Sequence, residues 1–313
     1  MVRLKFDIRK TPLAHTYSIV ARDPNTGEMG VGVQSHYFSV GSIVSWGESG
    51  VGVVATQSLV NVSFGILGLE LLKEGKSPRE ALDILIAGDE GRDVRQVAIL
   101  DAQGRVAAHT GSKCIIHAGH IEGNNYSVQA NMMLTDKVWS TMSTTFESNS
   151  HLPLAERIVE SLASAETVGG DIRGKQSAAL LVVGGKEVNN KWEDKLIDLR
   201  VEDHENPVQE LSRVLKLYRA YRHMDEGDLA MEHQKMETAL KEYNTALEMF
   251  PQNLEMRFWT AVTLANNHKL AQALDLFKEV FKRDNNWRLL AERLPKSDLL
   301  NVSAEDLEKI LST

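Results

Sequence analysis

Up to about residue 205 the chain is a succession of short β-rich runs cut by turn signals, and beyond it no convincing strand-forming run occurs. That change of pattern marks a domain boundary: strands bury alternate residues and helices a stripe recurring about every 3.6 residues, and only the second pattern continues past residue 205. The reading that follows is a two-domain chain, α+β over residues 1–205 and all-α over residues 206–313. At 313 residues, either part is long enough to bury a core of its own.

In the first part, TYSIVAR (16–22) meets the turn Asp23-Pro24-Asn25-Thr26-Gly27 and resumes as EMGVGVQ (28–34), which predicts a hairpin. VRQVAIL (94–100) and RVAAHT (105–110) flank the turn Asp101-Ala102-Gln103-Gly104 and predict a second. Further strands are expected at SIVSW (42–46), GVGVVATQ (50–57), CIIHA (114–118), YSVQAN (126–131), SAALLVV (177–183) and KLIDLRV (195–201). Helical spacing marks residues 64–75 and 153–166, and Ser77-Pro78 opens another helix with an N-cap serine and a first-turn proline. Strand pairs, then helix pairs, then strands again describe an antiparallel α+β fold, not strict βαβ alternation.

The tail aligns with itself at a 34-residue period: Ala239 recurs as Ala273, Tyr243 as Phe277, Ala246 as Val280 and Gly227 as Ala261. Small residues where paired helices cross, with a bulky ring between them, resemble a tetratricopeptide repeat. Each such repeat buries its apolar face only against a neighbour, so docking of these helices on the first domain, or on a protein or peptide partner, is expected. An ordinary small helical bundle is the alternative.

Composition narrows the partners. A net charge of −8 argues against a general binder of nucleic acid or anionic membrane. No run approaches the about 18–20 apolar residues of a membrane span. The opening MVRLKFDIRKTPLAH lacks the apolar stretch and cleavage site of a secretory signal. A lone Cys114 cannot form an internal disulfide, which fits a reducing cytoplasm. A cytoplasmic protein is therefore expected. Self-association is expected too, as for other glycine-rich sandwiches joined to short repeat arrays.

Several chemical motifs fail on inspection. Gly169 to Lys175 nearly spells a phosphate-binding loop, but Gln176 replaces the metal-binding hydroxyl and the segment runs from helix to strand. Its Asp171, Arg173, Lys175, Gln176 and Ser177 still crowd a glycine-rich bend, a composition suited to a functional loop. Cys114, His117 and His120 would face both sides of an extended strand, and no cofactor or metal is called for. Thr16 remains, opening the first predicted strand, and residues 16–57 give four β runs in succession. N-terminal-nucleophile hydrolases place a Thr, Ser or Cys there and use its own α-amine, with a pKa of about 8, as the base. In this chain that amine lies in the peptide bond to His15, so the chemistry requires removal of residues 1–15.

From Thr16 onward TYSIVARDPNTGEMGVGVQS, VGSIVSWGESGVGVVATQS, RQVAILDAQGRVAAHTG, AGHIEGNNYSVQANMM and GGDIRGKQSAALLVV resemble the family catalogued as domain of unknown function 1028. The resemblance covers residues 14–205 and extends to a subgroup with a tetratricopeptide-like C-terminal region. It implies a four-layer αββα sandwich like that of N-terminal-nucleophile hydrolases. The family's polar positions fall here on Thr16, Gln34, Ser35, His36, Thr56, Gln57, Arg95, Gln96, His109, His120, Asn131, Asp171, Arg173, Gln176 and Ser177.

On this basis the expected activity is cleavage of an amide-like C–N bond of a small-molecule substrate, with Thr16 as nucleophile and Ser35 or His36 orienting its freed amine. Backbone amides near Thr56 and Asn131, or the Asn131 side chain, would meet the oxyanion, and Arg173 or Lys175 a substrate carboxylate. The remaining positions, Gln34, Gln57, His109, Asp171, Gln176 and Ser177, would line the substrate site. The competing reading is a non-catalytic ligand-binding or scaffold protein that recruits partners through the sandwich and the repeats.

Overall fold

The computed structural model describes residues 12–313, and the reading of residues 1–11 as free of a secretion signal lies outside them. Among the described residues eleven strands follow in chain order: β1 (Leu13–Ala14), β2 (Thr16–Arg22), β3 (Met29–Ser35), β4 (Ser45–Glu48), β5 (Gly52–Leu59), β6 (Arg95–Asp101), β7 (Val106–Thr110), β8 (Gly119–Gly123), β9 (Tyr126–Ala130), β10 (Ser177–Val183) and β11 (Lys195–Val201). They form two antiparallel sheets. One has the order β1-β5-β6-β7 with β4 also paired to β5, and the other the order β11-β10-β3-β2-β9-β8.

The two predicted hairpins form for local reasons. Asp23 Oδ1 accepts from the Asn25 and Thr26 amides at 2.7 and 3.2 Å, and Gly27 takes φ +78° to close the turn between β2 and β3. Asp101 Oδ1 does the same for Gln103 and Arg105 between β6 and β7, with Gly104 at φ +83°. Two expected strands are corrected. Residues 41–44 make one helical turn, α1 (Gly41–Val44), before β4 begins, and residues 114–118 are turns and bends in which His117 takes φ +57°. The strand β8 and a helix at 138–148 were not foreseen, since neither carries a clear apolar period.

Helices cover the outer face of each sheet. On the five-stranded sheet lie α2 (Ser63–Lys73) and α3 (Pro78–Ala87), the latter opened by the Ser77–Glu80 capping box. On the six-stranded sheet lie α4 (Val138–Ser148) and α5 (Leu154–Thr167). Helix α5 sits close because β3 presents glycines to it: a Cβ on Gly30 or Gly32 would stand 2.7 or 2.3 Å from Ile158.

Between the sheets, alternation sends Val20, Val31, Val33, Val53, Ala55, Ala98, Leu100, Ala179 and Leu181 into one apolar core. Following the same inward faces toward the Thr16 end, the residues turn polar: Ser18 and Thr16, Ser35, Gln57, Gln96 and Gln129. All of them are fully buried.

By its contacts the chain divides into two units, one ending at Leu215 and the other Lys216–Thr313. The division falls within α6 (Pro207–Glu232), which is followed by α7 (Met236–Met249), α8 (Leu254–Asn266), α9 (Leu270–Arg283), α10 (Asn286–Arg293) and α11 (Ala304–Leu311). In the second unit the positions related by 34 residues, Ala239 with Ala273, Tyr243 with Phe277 and Ala246 with Val280, are all buried. A Cβ on Gly227 would stand 2.4 Å from the Tyr243 ring, so a small residue is required at that crossing. Among the described residues no helix is long and apolar enough to cross a membrane.

Candidate active site

Thr16 begins β2 and pairs with Ser35 at the end of β3. Its hydroxyl is buried and turned back toward the Ala14 carbonyl, 3.5 Å away. The peptide bond before it is held unusually well. The His15 carbonyl accepts the Ser35 hydroxyl at 2.7 Å and an Arg173 guanidinium N–H at 2.7 Å. Arg173 is fixed in turn by Asp171, with Nε to Oδ1 at 3.1 Å and a terminal nitrogen to Oδ2 at 2.7 Å. The Asp171 carboxylate, whose side chain is fully buried, also accepts the amides of Arg173 and His36 at 2.9 and 3.2 Å. Such a forked, charge-assisted pair fixes the guanidinium in one orientation.

A ladder of buried amides backs this arrangement. Gln57 donates to Gln96 Oε1 at 2.6 Å, and Ser18 donates to Gln57 Oε1 at 2.6 Å. Gln129 donates to Ser18 at 2.6 Å, and Asn131 donates to Gln96 Oε1 at 2.9 Å. Gln96 also reaches Thr110, whose hydroxyl meets His120 Nδ1 at 2.8 Å. The Thr16 carbonyl accepts the Asn131 backbone amide at 3.1 Å, which ties the first residue of β2 to this ladder. The Asn131 side-chain oxygen meets His15 Nδ1 at 2.7 Å. Burial, partly offset by that contact, holds the His15 imidazole below its ordinary pKa, so it is neutral near pH 7. Burial lowers His120 in the same way.

Of the residues expected from sequence, Thr16, Ser35, Gln57, Gln96, Asn131, Asp171 and Arg173 therefore come together, with His120 joined to them through Thr110. The others lie elsewhere. Gln34 lies on the opposite face of β3, paired with Tyr17, and both its amide atoms are buried without a hydrogen-bond partner. Thr56 points to the outer face of β5, where it donates to the Asn61 carbonyl at 3.2 Å. His109, opposite Val97, bonds the Arg92 carbonyl at 3.0 Å. His36 and Gln176 line an open cavity of about 500 Å³ with Lys175, Asp203, His204 and Glu205. Lys175 is engaged by Glu166 at 2.7 Å. Ser177 anchors the loop after β3, donating to the Tyr37 carbonyl and accepting the Val40 amide.

Among the described residues, no three His, Cys, Asp or Glu side chains are grouped to hold a metal ion. Sequence reasoning missed His15, Ser18 and Gln129. The available signal was the repeated occurrence of polar residues at inward positions of otherwise apolar strands.

Known proteins bear on this arrangement as follows. The family model that matches residues 16–211 is described as a family of unknown function, DUF1028. Among solved structures, the crystal structure of protein SPO2555 from Silicibacter pomeroyi, of the same family model, is similar at 29% identity and a TM-score of 0.58. The likeness covers 64% of this chain and 85% of that one. No curated protein matches the chain.

Proposed function

The chain belongs to the DUF1028 family of unknown function, and on that premise we propose that it is an amidohydrolase of N-terminal-nucleophile type that first releases its own Thr16. One observation carries this reading: the carbonyl of the bond to be broken, His15–Thr16, is gripped by a hydroxyl and a guanidinium. Two fixed donors on one carbonyl oxygen lower the barrier to attack on its carbon. The helix pair, two sheets and helix pair support a sandwich of the N-terminal-nucleophile type.

In the release, the Thr16 hydroxyl oxygen attacks the His15 carbonyl carbon, and the oxyanion forms between Ser35 and Arg173. The C–N bond breaks as the hydroxyl proton passes to the Thr16 nitrogen, which leaves as an amine, and an ester joins His15 to the Thr16 oxygen. Water hydrolyses that ester, leaving a His15 carboxylate and a free Thr16 amine. The freed amine, with an ordinary pKa of about 8, then serves as base for the same hydroxyl. Attack on a substrate amide forms an acyl-threonine and expels the amine with that proton, and water completes the cycle. Ser35 and Arg173 meet the oxyanion in both reactions, while Asn131 and Gln57 hold the Thr16 carbonyl and fix the nucleophile.

The 34-residue period and its buried small residues support a tetratricopeptide-like second unit that binds a protein or peptide partner. The alternative reading, a non-catalytic binding or scaffold protein, is favoured by the complete burial of Thr16 while residue 15 is attached. Turnover of a panel of amide substrates separates the two. Thr16→Ala, folded as judged by its melting curve, is expected to be inactive while the parent protein is active. Equal turnover by both would remove Thr16 as nucleophile.

A further inference from the structure

The segment that blocks Thr16 is laid out as a bound peptide, and its contacts describe a ligand. Strand β1 pairs antiparallel with the edge of β5, Leu13 opposite Leu59 and Ala14 opposite Ser58, and the Val60 amide donates to the Pro12 carbonyl at 2.9 Å. Ala14 is fully enclosed, which leaves room for a small side chain only, whereas Leu13 is partly exposed. The His15 ring meets Asn131, and its carbonyl lies between Ser35 and Arg173. Alongside, three loop segments are joined by backbone bonds from Met132 to Ile115, Met133 to His117, Ile172 to Met132 and Leu134 to Gly170. They carry the exposed side chains of Ile116 (80%), Ile172 (56%) and Leu134 (52%).

Resting on the amidohydrolase reading, we infer that the site freed by release of residues 12–15 takes an extended peptidyl amide. Its acyl part adds a strand to β5 at Ser58–Val60, in the manner of strand addition to an open sheet edge. The penultimate residue of that acyl part is small, and the last residue presents a hydrogen-bonding side chain to Asn131. The amide carbonyl of that last residue sits between Ser35 and Arg173, beside the Thr16 hydroxyl. Free amino-acid amides, lacking the strand, are poor ligands.

The probe is the peptide acetyl-Pro-Leu-Ala-His-amide, titrated calorimetrically into two full-length proteins. One is Thr16→Ala, which keeps its own segment in place. The other adds Leu13→Asp and His15→Gly, which weaken that segment's hold. The expected result is binding at least about tenfold tighter to the second protein. Adding Asn131→Ala should abolish that gain, and reversing the peptide sequence should remove binding. Should the triple variant melt far below Thr16→Ala, His15→Gly in the Thr16→Ala background makes the comparison. Equal or absent binding in a folded, unseated variant overturns the inference, even if the released enzyme hydrolyses simple amides. Binding of the peptide with no turnover by a chain beginning at Thr16 leaves the peptide site standing and defeats the amidohydrolase reading instead.

Discussion

Replacing Arg173 by alanine separates the two jobs its guanidinium performs. The first is to hold the His15 carbonyl at 2.7 Å. Removing one of two oxyanion donors slows attack by about 10²–10³-fold, equivalent to about 2.7–4 kcal/mol in the barrier. The second is to neutralise Asp171, whose buried carboxylate would keep only the amides of residues 173 and 36 at 2.9 and 3.2 Å. Breaking a buried pair costs about 3–5 kcal/mol in a dry interior. Here Arg173 is 28% exposed and both amide bonds remain, which brings the expected loss to about 2–3 kcal/mol. For a unit of this size that lowers Tm by roughly 5–10 °C. The assay follows intact mass from the moment of synthesis, well below the lowered melting temperature, for the parent, Arg173→Ala and Arg173→Lys. Parent-like cleavage kinetics in Arg173→Ala, alongside the expected fall in Tm, would refute the claim that the guanidinium activates the His15 carbonyl. Arg173→Lys keeps the charge without the fork and should cleave at an intermediate rate.

Three further outcomes are expected. Gln57→Leu leaves the Ser18 hydroxyl and Gln96 without their 2.6 Å partners in a buried setting; a urea titration should show about 2–3 kcal/mol lost, and a loss under 0.5 would mean that the ladder is not holding the sheets. For pH, His15 and His120 are neutral in the fold because burial lowers both, so the unfolded chain binds protons first as pH drops below about 6.5. Stability of the intact Thr16→Ala chain should therefore be full above that value and decline as pH falls toward the folded pKa values, with His15→Gln and His120→Gln each flattening the slope. In the second unit, Gly227→Ala places a Cβ 2.4 Å from the Tyr243 ring and should cost about 1–3 kcal/mol despite its helix propensity, read as a lower melting transition by circular dichroism.

Which parts of the molecule were legible in sequence follows from the physics of each. Strands such as Thr16–Arg22, Ser177–Val183 and Lys195–Val201 begin and end where their apolar and β-branched runs do. The Asp23 and Asp101 turns announce themselves, because an aspartate that accepts from two downstream amides and a following glycine are local requirements. Residues 42–46 and 114–118 are equally β-rich, yet the first pair Ser42 and Ile43 back to Ser39 and Val40 in a helical turn and the second stay irregular. There the surrounding packing overrides propensity.

The site was visible only in part, for a topological reason. Thr16, Ser35, Asn131, Asp171 and Arg173 are distant in sequence and meet because β2, β3 and β9 are adjacent and the loop before β10 returns beside them. Gln34 and Thr56, one residue away from Ser35 and Gln57, face outward because strand alternation sends neighbours to opposite sides. The role of the His15 carbonyl could not be read from residue type at all, since it belongs to the backbone.

The most direct test is the N-terminal residue of the full-length protein after purification and incubation at neutral pH, read by Edman degradation and intact mass together. The account predicts a chain beginning at Thr16, with Thr16→Ala remaining joined to His15 under identical conditions. A chain in which the His15–Thr16 bond stays whole, while amide turnover is nonetheless measured, would contradict it.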